Sequence, residues 1–291
     1  MAKYLKKLTV ISGKGGTGKT SLAGSFAALI SQKVVIVDAD VDAANLSLIT
    51  GTELLEKHEF RASKVAVVDP EKCAGCGLCR DLCRFEAVSE NFFVNPVDCE
   101  GCALCAYACP QEAISMEEKV SGQWFVSQTP YGNLVHARLG IAEENSGKLV
   151  TTVRNRGQEL AETGGKEYLL IDGPPGIGCP VIASLAGVDA ALIVIEPTLS
   201  GIHDLERVLS VCSYFGITAA VCINRYDMGM TQSALIEDYC RQEDIVMAGK
   251  IPFDRAFVEA MVQGLPVIEY TNGLLCRKIS SLWDKFTAIL K

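Results

Sequence analysis

Long apolar runs are missing from this sequence, which has no stretch of about 18 apolar residues that could cross a membrane as a helix. A signal-peptide pattern is missing too, since residues 1–7 lead into the first strand without an apolar h-region or a cleavage site. Basic residues are fewer than acidic ones, with 27 lysines and arginines against 35 aspartates and glutamates. We therefore expect a cytoplasmic protein and exclude broad nucleic-acid binding, which requires a basic face.

Cysteine, by contrast, is abundant, with 13 residues in a chain of 291. In a chain without a signal peptide, closely spaced cysteines indicate metal or redox chemistry rather than disulfides. Apolar residues make up 49% of the sequence, enough for a sizeable core, and the length suits one large domain or two modest ones. The cysteines are therefore candidate ligands within a well-packed protein.

Eight of the cysteines form two copies of the pattern C-x2-C-x2-C-x3-C with identical spacing. The first copy comprises Cys73, Cys76, Cys79 and Cys83, and the second comprises Cys99, Cys102, Cys105 and Cys109. Three thiolates on one tight loop can hold three corners of a cubane, so the fourth must come from elsewhere. Two zinc sites are the alternative, although zinc usually takes C-x2-C pairs that lie farther apart.

These motifs resemble those of two-cluster bacterial ferredoxins, in which the fourth cysteine of each run ligates the other cluster. By that resemblance, cluster one is held by Cys73, Cys76, Cys79 and Cys109. Cluster two is held by Cys99, Cys102, Cys105 and Cys83. Small residues such as Gly75 and Gly101 would let backbone N–H groups approach the cluster sulfurs. Arg84 stands where the ferredoxin pattern has proline, a departure that leaves ligation intact but could alter the loop and potential of cluster two.

A glycine-rich segment, residues 12–20, fits the phosphate-loop pattern G-x-x-x-x-G-K-[ST]. It follows an apolar run at residues 8–11 and precedes a helical pattern at residues 21–30, which is the context that the motif requires. Lys19 would reach the β- and γ-phosphates, and the Thr20 hydroxyl would ligate Mg²⁺. The predicted nucleotide-binding residues here are Gly13, Lys14, Gly15, Gly16, Thr17, Gly18, Lys19, Thr20 and Ser21. A glycine-rich loop without a ligand is the alternative, and the complete motif argues against it.

A second lysine in this loop, Lys14, directly follows the first glycine of the motif. The loop therefore resembles the deviant Walker A motif of the MinD/ParA/nitrogenase iron protein class, in which this lysine reaches the nucleotide of the partner subunit. The resemblance implies that Lys14 acts in trans within an ATP-dependent sandwich dimer. A solvated loop lysine is the alternative.

Acidic residues follow the second predicted strand, residues 33–38, at the end of a sheet where ligands bind in α/β proteins. The segment from Asp38 to Leu46 is similar to the D-x-D…N-L segment of the MinD class. By that resemblance Asp38 helps to hold Mg²⁺ and Asp40 orients the attacking water, while Asp42 could share either role. A solvated acidic turn is the alternative.

Later strand ends extend the resemblance. The apolar strand 167–172 ends in Asp172, as in Walker B, and the implied role of this carboxylate is to hold Mg²⁺ through water. The glycine-rich turn after it resembles the second switch, which ATP would move. Asn224 follows the strand 219–223 and resembles the base-recognition position, because its amide offers adenine a donor and an acceptor. Pro252 follows the last strand and would line the other side of the base.

Two further features each admit two interpretations. Cys179 has the same offset after the Walker B aspartate as a cluster-ligating cysteine of the nitrogenase iron protein. We prefer the interpretation that Cys179 acts as a small buried hydrophobic residue. A C-terminal helix over residues 274–290 carries an apolar face formed by Ile279, Leu282, Trp283, Phe286 and Leu290. We expect this helix to pack on the core rather than to bind a membrane, as the corresponding helix of MinD does.

Other segments are assigned from local pattern. Residues 47–60 are interpreted as a short helix and a linker, and residues 131–147, which are polar and dotted with glycine, as a loop near the nucleotide or a partner. Residues 148–162 have helical spacing. Ser200 is predicted to cap a helix over residues 201–215.

Taken together, the resemblance implies an α/β P-loop NTPase fold, a mostly parallel sheet flanked by helices, with an inserted α+β bacterial-type 2[4Fe–4S] ferredoxin domain. The predicted ATPase parts are residues 1–63 and 119–291, and the predicted ferredoxin insert is residues 64–118. The implied activity is Mg²⁺-dependent ATP hydrolysis, slow without a partner, by an ATP-dependent homodimer. It would couple nucleotide state to electron transfer through two [4Fe–4S] clusters toward a partner metalloprotein. Two alternatives stay open: a metallocluster carrier or assembly factor, and a MinD-like positioning ATPase with redox-sensing clusters.

Overall fold

The computed structural model describes residues 4–140, 143 and 145–290. Its strands are β1 (Lys6–Ser12), β2 (Val34–Asp38), β3 (Glu53–Val68), β4 (Ile114–Thr129), β5 (Gly132–Leu139), β6 (Tyr168–Pro175), β7 (Ala190–Ile195), β8 (Thr218–Asn224) and β9 (Val246–Ile251). Its α-helices are α1 (Lys19–Leu29), α2 (Leu46–Thr50), α3 (Leu78–Asp81), α4 (Leu104–Ala108), α5 (Ser146–Thr163), α6 (Cys179–Leu185), α7 (Leu199–Tyr214), α8 (Met230–Gln242), α9 (Ala256–Val262), α10 (Val267–Tyr270) and α11 (Leu274–Thr287).

The strands are ordered β3-β4-β5-β2-β6-β1-β7-β8-β9. From β5 to β9 in this order, every neighbouring pair is parallel. β2 and β7 are short runs of aliphatic and β-branched residues that are buried along their whole length. Such runs are typical of a parallel sheet whose two faces are covered by helices, and α1, α5, α6, α7 and α11 contact its strands. The predicted α/β fold with a mostly parallel sheet is confirmed.

The chain divides into two compact units. The first comprises residues 1–57, 124–138 and 146–291, and the second comprises residues 58–123 and 139–145. The second unit has a small buried apolar cluster of its own, made of Ala66, Ala87, Val88 and Val94. Cysteines from both motifs pack against this cluster, namely Cys79, Cys83, Cys99 and Cys105. The assignment of residues 64–118 as an inserted ferredoxin stays a prediction.

Two segments that the sequence predicts to be a linker and a loop contain strands. β3 begins at Glu53, inside the predicted linker, and its first residues are mostly exposed because β3 stands at the edge of the strand order. Residues 131–147 contain β5, which pairs in parallel with β2. Gly132 belongs to this strand because a side chain there would overlap the carbonyl oxygen of Val34. Over residues 132–139 the loop prediction is wrong because this glycine marks a close backbone approach rather than a turn, and residues 141, 142 and 144 of the predicted loop lie outside the described residues.

The helix after β7 begins earlier than the sequence predicts. α7 starts at Leu199, and its N-cap is Thr198, whose side-chain oxygen accepts a hydrogen bond from the N–H of Gly201 over 3.1 Å. Ser200 therefore lies within the first turn, and its predicted capping role is wrong.

The C-terminal helix α11 packs on the core, as predicted. Its buried residues are Leu275, Ile279, Leu282, Trp283 and Phe286. The rings of Trp283 and Phe26 lie 5.1 Å apart between centroids, which ties α11 to α1. Within the described part of the chain, none of the helices combines the length and apolar character needed to cross a membrane.

Candidate nucleotide and cysteine sites

The phosphate loop joins β1 to α1. Gly16 and Gly18 have φ angles of +80° and +90°, in the left-handed region that favours glycine. A side chain added at Gly15 or Gly16 would meet no atom within 4 Å, so the loop is open on that side. α1 begins at Lys19, and no side chain caps its N-terminus. The N–H groups and the helix dipole therefore favour an anion at this position.

Lys19 is buried at the end of the loop, among carboxylates. Its Nζ lies 2.8 Å from Oδ2 of Asp40, and the two side chains are 7% and 14% exposed. Burial alone would lower the pKa of Lys19, but the carboxylates around it, Asp172 first, outweigh burial and raise the pKa above its usual value. Lys19 is therefore protonated at neutral pH, as contact with phosphate requires.

Asp38 and Asp172 lie side by side, since they are paired in the register of β2 and β6, and both are fully buried. Asp38 accepts hydrogen bonds from the N–H groups of Asp40 and Leu46, at 3.1 and 3.0 Å. Neither carboxylate oxygen of Asp172 has a hydrogen-bond partner among the described residues. Burial, followed by repulsion from Asp172, raises the pKa of Asp38. Burial also raises the pKa of Asp172, although Lys19 and the nearby Thr20 hydroxyl lower it. Two buried carboxylates on paired strand positions are stabilised by a positively charged ligand.

A magnesium ion fits this need. Mg²⁺ in nucleotide sites is commonly held by one or two carboxylates, with phosphate oxygens and water completing the octahedron. Asp172 offers two unpartnered oxygens, and Thr20 offers a half-buried hydroxyl on the first turn of α1. Asp42, by contrast, is exposed. The donor set therefore suits a hard cation bound together with a nucleotide.

Lys14 lies against its own chain. Its Nζ is 3.2 Å from Oε2 of Glu196 and 3.5 Å from the hydroxyl of Thr198. The hydroxyl of Ser12 donates a hydrogen bond to the carbonyl oxygen of Lys14 over 2.7 Å, which fixes the backbone at this position. The second lysine of the loop is thus paired rather than free in solvent.

Asn224 contacts the phosphate loop directly. Its Nδ2 donates a hydrogen bond to the carbonyl oxygen of Thr17 over 2.7 Å, and its Oδ1 accepts one from the N–H of Arg225 over 3.0 Å. Asn224 is buried, and a side chain at Gly18 would overlap its amide. Pro252 follows the residue that pairs with Asn224 in the register of β8 and β9. Pro252 therefore lies next to the strand position that pairs with Asn224, and the roles of both residues toward a base stay predictions.

Glu196 and Arg225 are candidate site residues that the sequence pattern does not predict. Glu196 follows β7 directly and forms ion pairs with both Lys14 and Arg225. An acidic residue at or just beyond the end of a buried strand is the one available signal, since Asp38 is the last residue of β2 and Glu196 follows β7. The partners of Glu196 depend on strand order, which no local pattern encodes.

The eight motif cysteines line two cavities in the second unit. The first cavity is lined by Cys73, Cys76, Cys79 and Cys109, with Val68, Phe92 and Ile114 among its apolar walls. The second cavity is lined by Cys83, Cys99, Cys102 and Cys105, with Val88, Leu104 and Met116 among its walls. Each cavity therefore collects three cysteines from one motif and the last cysteine of the other.

A site for a single metal ion needs several ligating side chains close together. Within residues 4–140, 143 and 145–290, no three His, Cys, Asp or Glu side chains form a group that could hold a metal ion. The assignment of the cysteine cavities to iron–sulfur clusters rather than to zinc stays a prediction.

The backbones of the two cysteine loops repeat each other. Left-handed φ angles occur at corresponding positions of the two motifs: Gly75 and Gly101, Gly77 and Ala103, Glu86 and Glu112. Gly101 has a further constraint, because a side chain there would overlap the carbonyl oxygen of Lys64. The sequence repeat is therefore also a repeat of local conformation, which turns the backbone of both loops in the same way.

The remaining cysteines are of two kinds. Cys212, Cys222 and Cys240 are buried and Cys276 is partly buried, in keeping with structural roles. Cys179 is exposed at the first turn of α6, so the preferred prediction that it is a buried hydrophobic residue is wrong. It lies in the first unit, outside both cysteine cavities.

Comparison with known proteins agrees with this geometry. The family model described as the CobQ/CobB/MinD/ParA nucleotide binding domain matches residues 8–267. An uncharacterized protein of Methanocaldococcus jannaschii is 35% identical over 227 residues, which cover 77% of this chain and 79% of the relative. A second uncharacterized protein of that organism is 26% identical over 272 residues, covering 91% of this chain and 92% of the relative.

The fold is shared with a solved structure. The septum site-determining protein MinD of Pyrococcus horikoshii, complexed with Mg-ADP, superposes with a TM-score of 0.60 at 19% identity. The superposition covers 96% of this chain and 94% of that one. The family match and the 35% identical relative go beyond a shared fold, and the chain belongs to the CobQ/CobB/MinD/ParA family of nucleotide-binding proteins.

Proposed function

We propose that this protein is an Mg²⁺-dependent ATPase that dimerises with ATP and couples its nucleotide state to electron transfer through two [4Fe–4S] clusters toward a partner metalloprotein. The main support for this proposal is the pair of cysteine cavities, each lined by three cysteines of one motif and the fourth cysteine of the other. That exchange is the ligand arrangement of two-cluster ferredoxins. A nucleotide-binding family member with such a module has the parts for ATP-controlled redox chemistry.

The nucleotide half of the proposal depends on the phosphate loop and the carboxylates behind it. Lys19, protonated and buried, would contact the β- and γ-phosphates, while Thr20 and Asp172 would hold Mg²⁺, with Asp38 behind them. A bound phosphate would displace Asp40 from Lys19, and Asp40 would then orient the attacking water. Phosphoryl transfer needs mainly positioning and charge stabilisation, which these groups supply.

The redox half depends on the second unit, within which we assign residues 64–118 as an inserted ferredoxin domain. Cys73, Cys76, Cys79 and Cys109 would hold cluster one, and Cys99, Cys102, Cys105 and Cys83 would hold cluster two. When bound, such clusters supply one-electron transfer at a potential set by their surroundings. The left-handed residues of both loops orient the backbone around each cavity.

Anaerobic reconstitution with iron counting and EPR tests the proposal. About eight irons per chain are expected from two cubanes. Cys109→Ser should remove cluster one and leave about four irons, whereas Cys276→Ser, a matched control outside both motifs, should leave the iron content unchanged. Stoichiometric zinc in place of iron, or full iron loading of the Cys109→Ser protein, would contradict the cluster assignment.

The same preparation separates the two alternatives. Stable clusters that are reduced at low potential and pass electrons in an ATP-dependent way support the electron-transfer function. Labile iron that moves to an apo-protein would instead support a carrier or assembly factor. ATP-dependent liposome binding that is lost on removing residues 274–291 would support a positioning ATPase. The burial of the apolar face of α11 argues against that last alternative.

A further inference from the structure

The contacts of Lys14 raise a problem for its proposed trans role. Its ammonium group is engaged by Glu196 and Thr198, both at the junction of β7 and α7 of the same chain. Thr198 is fixed there as the N-cap of α7. To reach a nucleotide on a partner subunit, the side chain of Lys14 must first leave this junction.

Arg225 competes with Lys14 for the same carboxylate. Arg225 pairs with Oε1 of Glu196, whereas Lys14 pairs with Oε2. The side chains of Lys14 and Glu196 are 35% and 16% exposed, so the pair is partly shielded from water and salt. A carboxylate shared between two cations holds each one less strongly than it would hold that cation alone.

The position of Arg225 connects this network to the other end of the phosphate loop. Arg225 directly follows Asn224, whose amide bonds to Thr17. The end of β8 is therefore linked to the loop at two places. Asn224 bonds to Thr17, and Arg225 pairs with Glu196, which also pairs with Lys14.

We propose that Glu196 is a positioning residue that retains Lys14 on its own chain, and that Arg225 weakens this retention by sharing the carboxylate. The inference rests on the proposed ATP-dependent dimer in which Lys14 acts in trans. Retention and the trans contact compete for the same ammonium group, because the charge that pairs with Glu196 is the one that a nucleotide phosphate would attract. Glu196 thus raises the ATP concentration at which the dimer forms, as any interaction specific to the monomer does.

Two substitutions with opposite expected effects test this. Sedimentation analysis of the full-length protein gives the ATP concentration at half-maximal dimerisation. Glu196→Gln should lower that midpoint by about five-fold, which corresponds to ~1 kcal/mol for a partly shielded ion pair. Arg225→Gln should raise it, because Glu196 then holds Lys14 alone. The Glu196→Gln effect should shrink in high salt.

Matched controls make the test specific. Asp238→Asn removes an exposed ion pair with Arg241 within α8 and should leave the midpoint unchanged. Glu196→Asp keeps the charge and should lie between the wild type and Glu196→Gln. Midpoints equal to the wild type, or a shift of Glu196→Gln and Arg225→Gln in the same direction, would overturn the role of Glu196. A wild-type protein that stays monomeric with ATP would overturn the dimer itself, and this outcome is distinguishable from the first.

Discussion

At the scale of single residues, Asp172 is a buried charged group of the nucleotide site whose carboxylate lacks hydrogen-bond partners among the described residues. Buried polar groups are normally paired, since an unpaired one loses its hydration without compensation. Lys19, the cation of this site, is already bonded to Asp40. A residue that destabilises the free protein in this way is explained by a cation that it binds.

Replacing Asp172 should therefore separate stability from ligand binding. Asp172→Asn removes the cost of burying a charge beside Asp38 and also the attraction between Asp172 and Lys19. Because burial outweighs that attraction at Asp172, we expect the melting temperature of the nucleotide-free protein to rise by about 2–4 °C, or ~1 kcal/mol. Mg²⁺ and ATP should raise the melting temperature of the wild type but not that of Asp172→Asn. Differential scanning calorimetry with and without ligand measures both. A variant that melts lower than the wild type without ligand would contradict the account, and Glu243→Gln, an exposed carboxylate, serves as the control.

The buried pair Asp38 and Asp172 also predicts how the free energy of unfolding changes with pH. In the unfolded chain these carboxyls titrate near their ordinary pKa of about 4, whereas in the folded protein the pKa of both is raised. Between those values the folded state binds more protons, so the free energy of unfolding falls as the pH rises. Burial lowers the pKa of His136, which gives the opposite slope in every variant. The difference between wild type and Asp172→Asn isolates the carboxylates.

The measurement is the melting temperature of both metal-free proteins at about pH 5.5 and pH 7. The advantage of Asp172→Asn over the wild type should grow with pH over this interval, and it should disappear when Mg²⁺ and ATP neutralise the wild-type pair. An advantage that is constant with pH would show that the two carboxylates do not titrate as a buried, repelling pair.

At the scale of secondary-structure elements, sequence pattern succeeds where one local signal dominates. The strands β2 and β7 are uninterrupted apolar runs, and the phosphate loop is a complete motif between strand and helix. Residues 65–68 are predicted as a strand and form the end of β3, but the exposed first part of β3 and all of β5 are missed. The exposed edge of β3 and the close backbone approach at Gly132 are not encoded in local propensity. The contacts Lys14–Glu196 and Asn224–Thr17 are missed for a related reason. They arise because β1 and β7 are adjacent and β8 lies next in the sheet.

The two cysteine loops offer a matched pair of positions for a prediction at this scale. Gly75 and Gly101 have φ angles of +67° and +63°, but only at Gly101 would a side chain overlap backbone, the carbonyl oxygen of Lys64. Gly75→Ala should lower the free energy of unfolding by about 1–2 kcal/mol, because alanine is strained in the left-handed region. The variant should still load about eight irons. Gly101→Ala should distort the second loop and reduce iron to about four.

Iron analysis and EPR after anaerobic reconstitution compare the two alanine variants directly. The equivalence of the positions in the repeat makes each variant the control for the other. Equal iron loading of both proteins would mean that the contact between Gly101 and Lys64 does not determine the shape of the second loop, and the proposed strain argument would then fail.

At the scale of the whole molecule, each of the two compact units has its own buried apolar cluster. In the first unit the cluster is built around the sheet and includes Phe26, Leu170 and Phe286, and in the second it is the small group around Ala66 and Val88. The nucleotide-site residues belong to the first unit and the motif cysteines to the second. Damage to the ligands of one unit therefore leaves the core of the other intact.

This separation predicts that ATP-dependent dimerisation and iron loading can each be lost without loss of the other. Lys14→Ala should abolish ATP-dependent dimerisation and leave iron loading at about eight per chain, because the cysteine cavities contain no residue of the phosphate loop. Cys109→Ser should lose a cluster and still dimerise with ATP, since its core and nucleotide site are unchanged. Lys33→Ala, an exposed lysine outside the loop, is the control for the first variant. If Cys109→Ser also failed to dimerise, the two units would depend on each other for folding, and nucleotide state could not be said to control an independent redox module.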